Sequence, residues 1–103
     1  MSRVEKLLEM LQDNANDAFL QHALALEYIK LSQDDKALAT FENLLGHHPD
    51  YVGSYYHLAK LQENLGKTEQ AIATYQAGMA VAKKLDDRHA YGELFGAWEE
   101  LTM

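Results

Sequence analysis

Apolar residues recur at three- and four-residue intervals along almost the whole chain, the period of an amphipathic helix. Leu20, Leu24, Tyr28 and Leu31 form one stripe, and Ala37, Leu38, Phe41, Leu44 and Leu45 form the next. Between the two, Ser32-Gln33-Asp34-Asp35 holds no apolar residue and offers side chains suited to capping a helix start. A second pair of stripes follows, broken at Gly66-Lys67-Thr68-Glu69, where a glycine stands at an expected helix stop. Gly46-His47-His48-Pro49-Asp50 separates the two pairs, and its proline cannot continue a helix interior.

The two pairs are copies of one unit. Sliding residues 18–51 over 52–85, a shift of 34, matches Leu24 with Leu58, Ala25 with Ala59, Leu31 with Leu65, Ala37 with Ala71, Ala39 with Ala73 and Thr40 with Thr74. Phe41 meets Tyr75, Leu38 meets Ile72, and Ser32 meets Gly66 at the turn. Self-similarity at such a period marks a repeat architecture in which neighbouring units bury each other's apolar faces. The flanks read as helix too. Val4, Leu7, Leu8 and Leu11 share a face before the break at Asp13–Asp17, as the second helix of an earlier, partial repeat over 1–17 would. Over 86–103, Asp86 and Asp87 offer an N-cap, and Tyr91, Leu94, Phe95, Trp98 and Leu101 line a closing helix. Six helices and no strand are predicted, in one domain without a linker.

The spacing of these residues resembles the tetratricopeptide repeat, W-x2-L-G-x2-Y followed by A-x3-F and P. Gln21, Leu24, Ala25, Tyr28, Ala37, Phe41 and Pro49 occupy those positions in the first repeat. Tyr55, Leu58, Ala59, Gln62, Ala71, Tyr75 and Lys83 occupy them in the second. Gln21 and Gln62 depart from the aromatic preference. Lys83 replaces the proline, so the last helix of the second repeat is expected to run on through Ala80, Val81 and Ala82 toward Leu85. Leu44 stands where the family prefers a small residue, which Gly78 supplies. The resemblance implies an all-α, right-handed solenoid whose flanking helices cap the array. It also implies a concave surface, lined by the first helix of each repeat, that holds a peptide or helix of a partner protein. The residues that the register turns to that surface are Phe19, His22, Leu26 and Ile29 in the first repeat, with Tyr56, His57 and Lys60 in the second. The other outcome for the apolar ones is burial under a flanking helix. Some members of the family clamp a partner's carboxylate with lysine and asparagine; His22 and Leu26 stand there instead, which disfavours that mode.

Composition narrows the partner. The formal charge is −7, which argues against nucleic acid and anionic membrane as partners, since both need clustered Lys and Arg. A neutral or basic protein suits the chain better. With 48% apolar and 24% charged residues the chain is globular rather than disordered. It has no cysteine, which removes disulfides and thiolate chemistry and fits a reducing, cytoplasmic setting. Its first residues lack the apolar run of a leader, and no stretch approaches the length of a membrane span.

No enzyme chemistry, metal or cofactor is expected. The serines have no framing motif for an activated nucleophile, and there is no glycine-rich phosphate loop. His47 and His48 are adjacent, and His22, His57 and His89 are expected to lack acidic ligands at i+3 or i+4. Of the histidines, His22 with His57 is the pair that neighbouring first helices would bring together. Asp34-Asp35 and Asp86-Asp87, each just before a helix, are read as caps and dipole partners. The closing helix carries Gly92 and Gly96 near Tyr91, Phe95 and Trp98. Two helical glycines cost about 2 kcal/mol against alanine. Close approach of another helix would offset that cost, either within the chain or in a homodimer, which makes a structural homo-oligomer the alternative to partner binding.

Overall fold

A computed structural model describes all 103 residues. Six helices make up the fold: α1 Arg3–Asp13, α2 Ala18–Lys30, α3 Asp34–His47, α4 Gly53–Asn64, α5 Thr68–Lys84 and α6 Arg88–Thr102. No strand is present. The chain forms two compact units, Met1–Pro49 and Asp50–Met103. Each contains three helices in antiparallel succession, and the division falls in the interval between the two sequence repeats.

The helix starts follow capping chemistry unevenly. Ser2 and Glu5 form a reciprocal capping box at α1: the Glu5 amide donates to Ser2 Oγ at 3.1 Å, and the Ser2 amide donates to Glu5 Oε1 at 3.3 Å. Asp17 Oδ1 accepts from the Leu20 amide at 2.9 Å, and Asp87 Oδ1 accepts from the Ala90 amide at 3.0 Å. The expectation that Asp34 and Asp35 cap α3 is not met. Gln33 occupies the cap position without a side-chain bond, and both aspartates lie inside the first turn. There their charge still faces the positive end of the helix dipole. Asp86, offered as a cap for α6, instead belongs to the turn before it.

Three turns share one geometry. Ser32, Gly66 and Asp86 have φ of +60°, +77° and +55°. In each case the next residue's amide reaches back five positions, Gln33 to Tyr28, Lys67 to Gln62 and Asp87 to Ala82, all at 2.8 Å. This is the left-handed stop that closes the last turn of a helix on its own carbonyls.

Unit 1 buries Leu7 from α1, Gln21, Leu24, Ala25 and Tyr28 from α2, and Ala37, Phe41 and Leu44 from α3. Gln21 stands where the repeat pattern has an aromatic, and its Nε2 donates to the Ala15 carbonyl at 2.7 Å. The amide thereby tethers the α1–α2 loop, which His48 also meets through a ring nitrogen against the Asn16 carbonyl. Unit 2 buries Tyr55, Leu58, Ala59, Leu61 and Gln62 from α4, Ala71, Tyr75, Gly78 and Ala82 from α5, and Leu94 and Ala97 from α6. Ala25 with Ala37, and Ala59 with Ala71, are fully buried, so no bulk keeps the paired helices apart. Gly78 is packed tighter still: a Cβ there would lie 2.6 Å from Tyr55 Cβ and 3.1 Å from Leu94 Cδ1. α5 continues to Lys84, as expected from the loss of the proline.

Candidate partner-binding faces

In unit 1, α2 turns Leu24 and Ala25 inward, which leaves Phe19, His22, Leu26 and Ile29 toward its outer side. Phe19 is 69% exposed, an uncommon state for a phenylalanine. His22, Leu26 and Ile29 are half-buried, and the His22 ring meets Phe41 edge-on at 6.0 Å. Much of this face is therefore apolar, held in place from beneath by the core.

In unit 2, Tyr56, His57 and Lys60 are half-buried on α4. The Tyr56 ring packs edge-on against His57 at 5.8 Å and against the buried Tyr75 at 6.4 Å. Lys60 Nζ stands 5.7 Å from the centre of the Tyr56 ring and 3.7 Å from Glu63 Oε2. The Tyr75 hydroxyl donates to Glu63, and Thr74 Oγ1 donates to Gln62 Oε1 at 2.7 Å. Burial, then the Glu63 bond and charge, push the Tyr75 phenol well above its ordinary range. Burial lowers the His57 imidazole, with the charge of Glu93 opposing it in part. His57 is thus held neutral at pH 7 as an aromatic and hydrogen-bonding group.

Tyr91, Phe95 and Trp98 form a continuous row on α6, with ring centroids 6.1 and 5.8 Å apart. Gly92 and Gly96 lie on a different arc of that helix, and a Cβ at either would meet nothing within 4 Å. The internal packing that would have explained these glycines is absent. One reading of the histidines needs correction: His89 does have an acidic neighbour at i+4, with Nε2 3.7 Å from Glu93 Oε1. A single such pair is no metal site, and no group of three or more potential ligands is assembled anywhere. Sequence reasoning passed over Glu63, although it stands at i+3 from Lys60, and read Tyr75 only as a position of the repeat pattern. No helix is long and apolar enough to cross a membrane.

Helix pairs closed by left-handed turns, with small residues where the paired helices meet and the same register in both units, define a helix–turn–helix repeat protein. The chain belongs to the tetratricopeptide repeat family. The family model described as "Anaphase-promoting complex, cyclosome, subunit 3" matches residues 2–78. A crystal structure of a tetratricopeptide repeat domain protein from Salinibacter ruber is 43% identical, covering 84% of this chain and 96% of that one with a TM-score of 0.79. A Bordetella parapertussis protein shares the fold at 24% identity, 99% and 89% coverage and a TM-score of 0.84. The TPR2B domain of yeast Sti1, in a pHsp70 complex, does so at 19% identity, 96% and 79% coverage and a TM-score of 0.88. No curated protein matches the chain.

Proposed function

We propose that this chain is a non-enzymatic interaction module that holds a peptide or helix of a partner protein on the outer faces of α2 and α4. The observation that carries this reading is an apolar and aromatic set that the fold only partly covers: Phe19 at 69% exposure, with Leu26, Ile29 and Tyr56 half-buried and the Tyr56 ring packed on the core residue Tyr75. Rigid aromatic and aliphatic side chains give large contact area at small entropic cost and are typical anchors of binding energy. Membership of the repeat family and the fold shared with the Sti1 domain of the pHsp70 complex support the same reading. Affinity purification of the tagged chain from its native cell tests it. Phe19→Ser with Leu26→Ser, or Tyr56→Ala, should lose a partner that wild type and a Glu9→Gln control both retain. Recovery of the same partners by every variant would contradict it.

Self-association is the second reading, favoured by the Tyr91–Phe95–Trp98 row, where Phe95 is 37% exposed and the Trp98 indole nitrogen is buried without a hydrogen-bond partner. A mass in solution that is dimeric for wild type and monomeric for Phe95→Glu would support it. A strict monomer across a wide concentration range would sink it.

A further inference from the structure

We infer that the aromatic side of α6 is a docking surface for α1 of a second copy of this chain, so that copies join head to tail. The inference rests on the self-association reading and names the surface that meets α6.

The first observation is that α1 and α6 are complementary halves of a repeat. In unit 2 the side of α4 that receives α5 is made by Tyr55, Ala59 and Gln62: Tyr55 lies against Gly78, Ala59 is fully buried, and Gln62 accepts from Thr74. Tyr91, Phe95 and Trp98 stand at the same spacing on α6, whose Leu94 and Ala97 are buried. Within unit 2, α6 packs on α5 and touches α4, so its aromatic side receives no second helix there and Phe95 is left exposed. α1 is the converse. Leu7 precedes Phe41 by the same interval as Phe41 precedes Tyr75, and all three are buried. That register puts Arg3, Lys6 and Met10 where α5 turns Ala71, Thr74 and Gly78 toward α4. Ala71 and Gly78 are buried, as are Ala37 and Leu44 at the same positions of α3, whereas Arg3 is exposed and Met10 is 48% exposed. Within unit 1, α1 packs on α2 alone, and no first helix covers its other side.

The second observation is that the two open sides match in chemistry. Setting α1 of one copy on α6 of another as α5 sits on α4 brings Arg3 to Phe95, Lys6 to Trp98 and Met10 to Tyr91. Cations over aromatic rings and a thioether beside a ring are favourable pairs. Arg3 and Phe95 stand where the other pairs have alanine, so these helices sit further apart, at about 10 Å, as larger contact residues require. The pair runs antiparallel, which brings Glu99 and Glu100 alongside the turn of α1 that carries Arg3 and Lys6, and Arg88 alongside Asp13. A parallel pair would set like charges together at both ends, so charge selects the orientation. Arg3 and Arg88 each make an exposed pair within the chain, with Glu27 at 3.6 Å and Asp86 at 3.8 Å, of a kind that contributes little. Since α6 meets α1 and not another α6, the contact is heterologous and repeats from copy to copy.

Sedimentation velocity of the full chain over a concentration series tests this. One helix pair is a small interface, below about 1,200 Å² in total, so association should appear between roughly 10 µM and 1 mM. The wild-type mass should rise through dimer to longer species, with a blue shift in emission from Trp98, the one tryptophan. Phe95→Glu and Met10→Glu, both at exposed positions, should keep the wild-type circular dichroism and each weaken association by about tenfold or more, as loss of an interface anchor does. Mixed in equal amounts, the two should form a one-to-one dimer and stop there, because the first retains its α1 side and the second its α6 side. Leu8→Glu alters a comparably exposed apolar residue on another side of α1 and should associate as wild type does. Failure of the mixture to dimerise, or a loss in Leu8→Glu equal to that in Met10→Glu, would overturn the inference. If Phe95→Glu is monomeric while Met10→Glu still dimerises, self-association through α6 stands and α1 falls as its counterpart. A wild type that stays monomeric at about 1 mM overturns both.

Discussion

Gly78 and the pair Gly92 and Gly96 are all helical glycines, yet the structure assigns them opposite consequences. Gly78 is closed in by Tyr55 and Leu94, and the nearest atom, Tyr55 Cβ, cannot swing aside without moving α4. Gly78→Ala is expected to destabilise by about 1–3 kcal/mol, read from the denaturant midpoint; an unchanged midpoint would mean that α4 and α5 separate freely. Gly92→Ala and Gly96→Ala should each stabilise by about 0.5–1 kcal/mol, because nothing opposes the added methyl. Ser32 and Asp86 hold the left-handed turn that Gly66 occupies without strain. Ser32→Gly is therefore expected to gain stability, by up to about 1 kcal/mol. Gly66 was legible in the sequence because glycine announces such a turn. Ser32 was legible only through its alignment with Gly66, and Asp86 looked like a cap because aspartate serves both purposes. Gly78 was placed correctly by its register, but its contact with Leu94 was not, since that depends on how α6 lies against α5.

Among the elements, the capping aspartates make a contrast that unfolding can read. Asp17 bonds the Leu20 amide, whereas Asp34 lies inside the first turn of α3 and bonds no amide there. Asp17→Ala should cost about 1 kcal/mol, and Asp34→Ala only the few tenths of a dipole interaction at an exposed site. Similar losses from the two would contradict this assignment. The packing of α4 also sets a pH dependence. Burial depresses His57 below 6.5 in the folded state, against the opposing pull of Glu93, so the unfolded chain takes up the proton first. The folded state is then unpenalised above pH 6.5 and loses stability as the pH falls through 6.5 toward the folded value. His57→Gln should flatten that part of the profile in thermal melts at pH 7.5, 6.5 and 5.5; a profile that keeps its slope would place the titration elsewhere. The helices themselves were legible because their apolar stripes carry the 3.6-residue period over three or four turns each. The longer α5 was legible too, since Lys83 in place of the proline removes the stop. Hidden from the pattern was the Tyr75–Glu63 bond, which joins side chains on two helices through a turn that periodicity does not describe.

For the whole molecule, the repeat register accounts for both compact units and for the family. The same positions point inward in each: Leu24 and Leu58, Ala25 and Ala59, Phe41 and Tyr75. What the register leaves over is the outer side of α2, α4 and α6, and there the repeats diverge into Phe19, Leu26 and Ile29, then Tyr56, His57 and Lys60, then Gly92 and Gly96. Divergence at the outward positions of each unit, above cores kept in register, is what the proposed partner-binding role requires. Side chains on those positions were nameable from the sequence, and the Lys60 contact with Tyr56 follows from their i,i+4 spacing; the packing of Tyr56 on Tyr75 and the open space at Gly92 were not legible, because they depend on how α4, α5 and α6 pack. The most direct measurement is amide chemical-shift mapping of the isotopically labelled full chain, titrated with the binding segment of a partner recovered by affinity purification. Shifts concentrated on Phe19, His22, Leu26 and Ile29 of α2 and on Tyr56, His57 and Lys60 of α4 are the predicted result. Shifts confined to α1, α3 and α5, with those outer faces undisturbed, would contradict it.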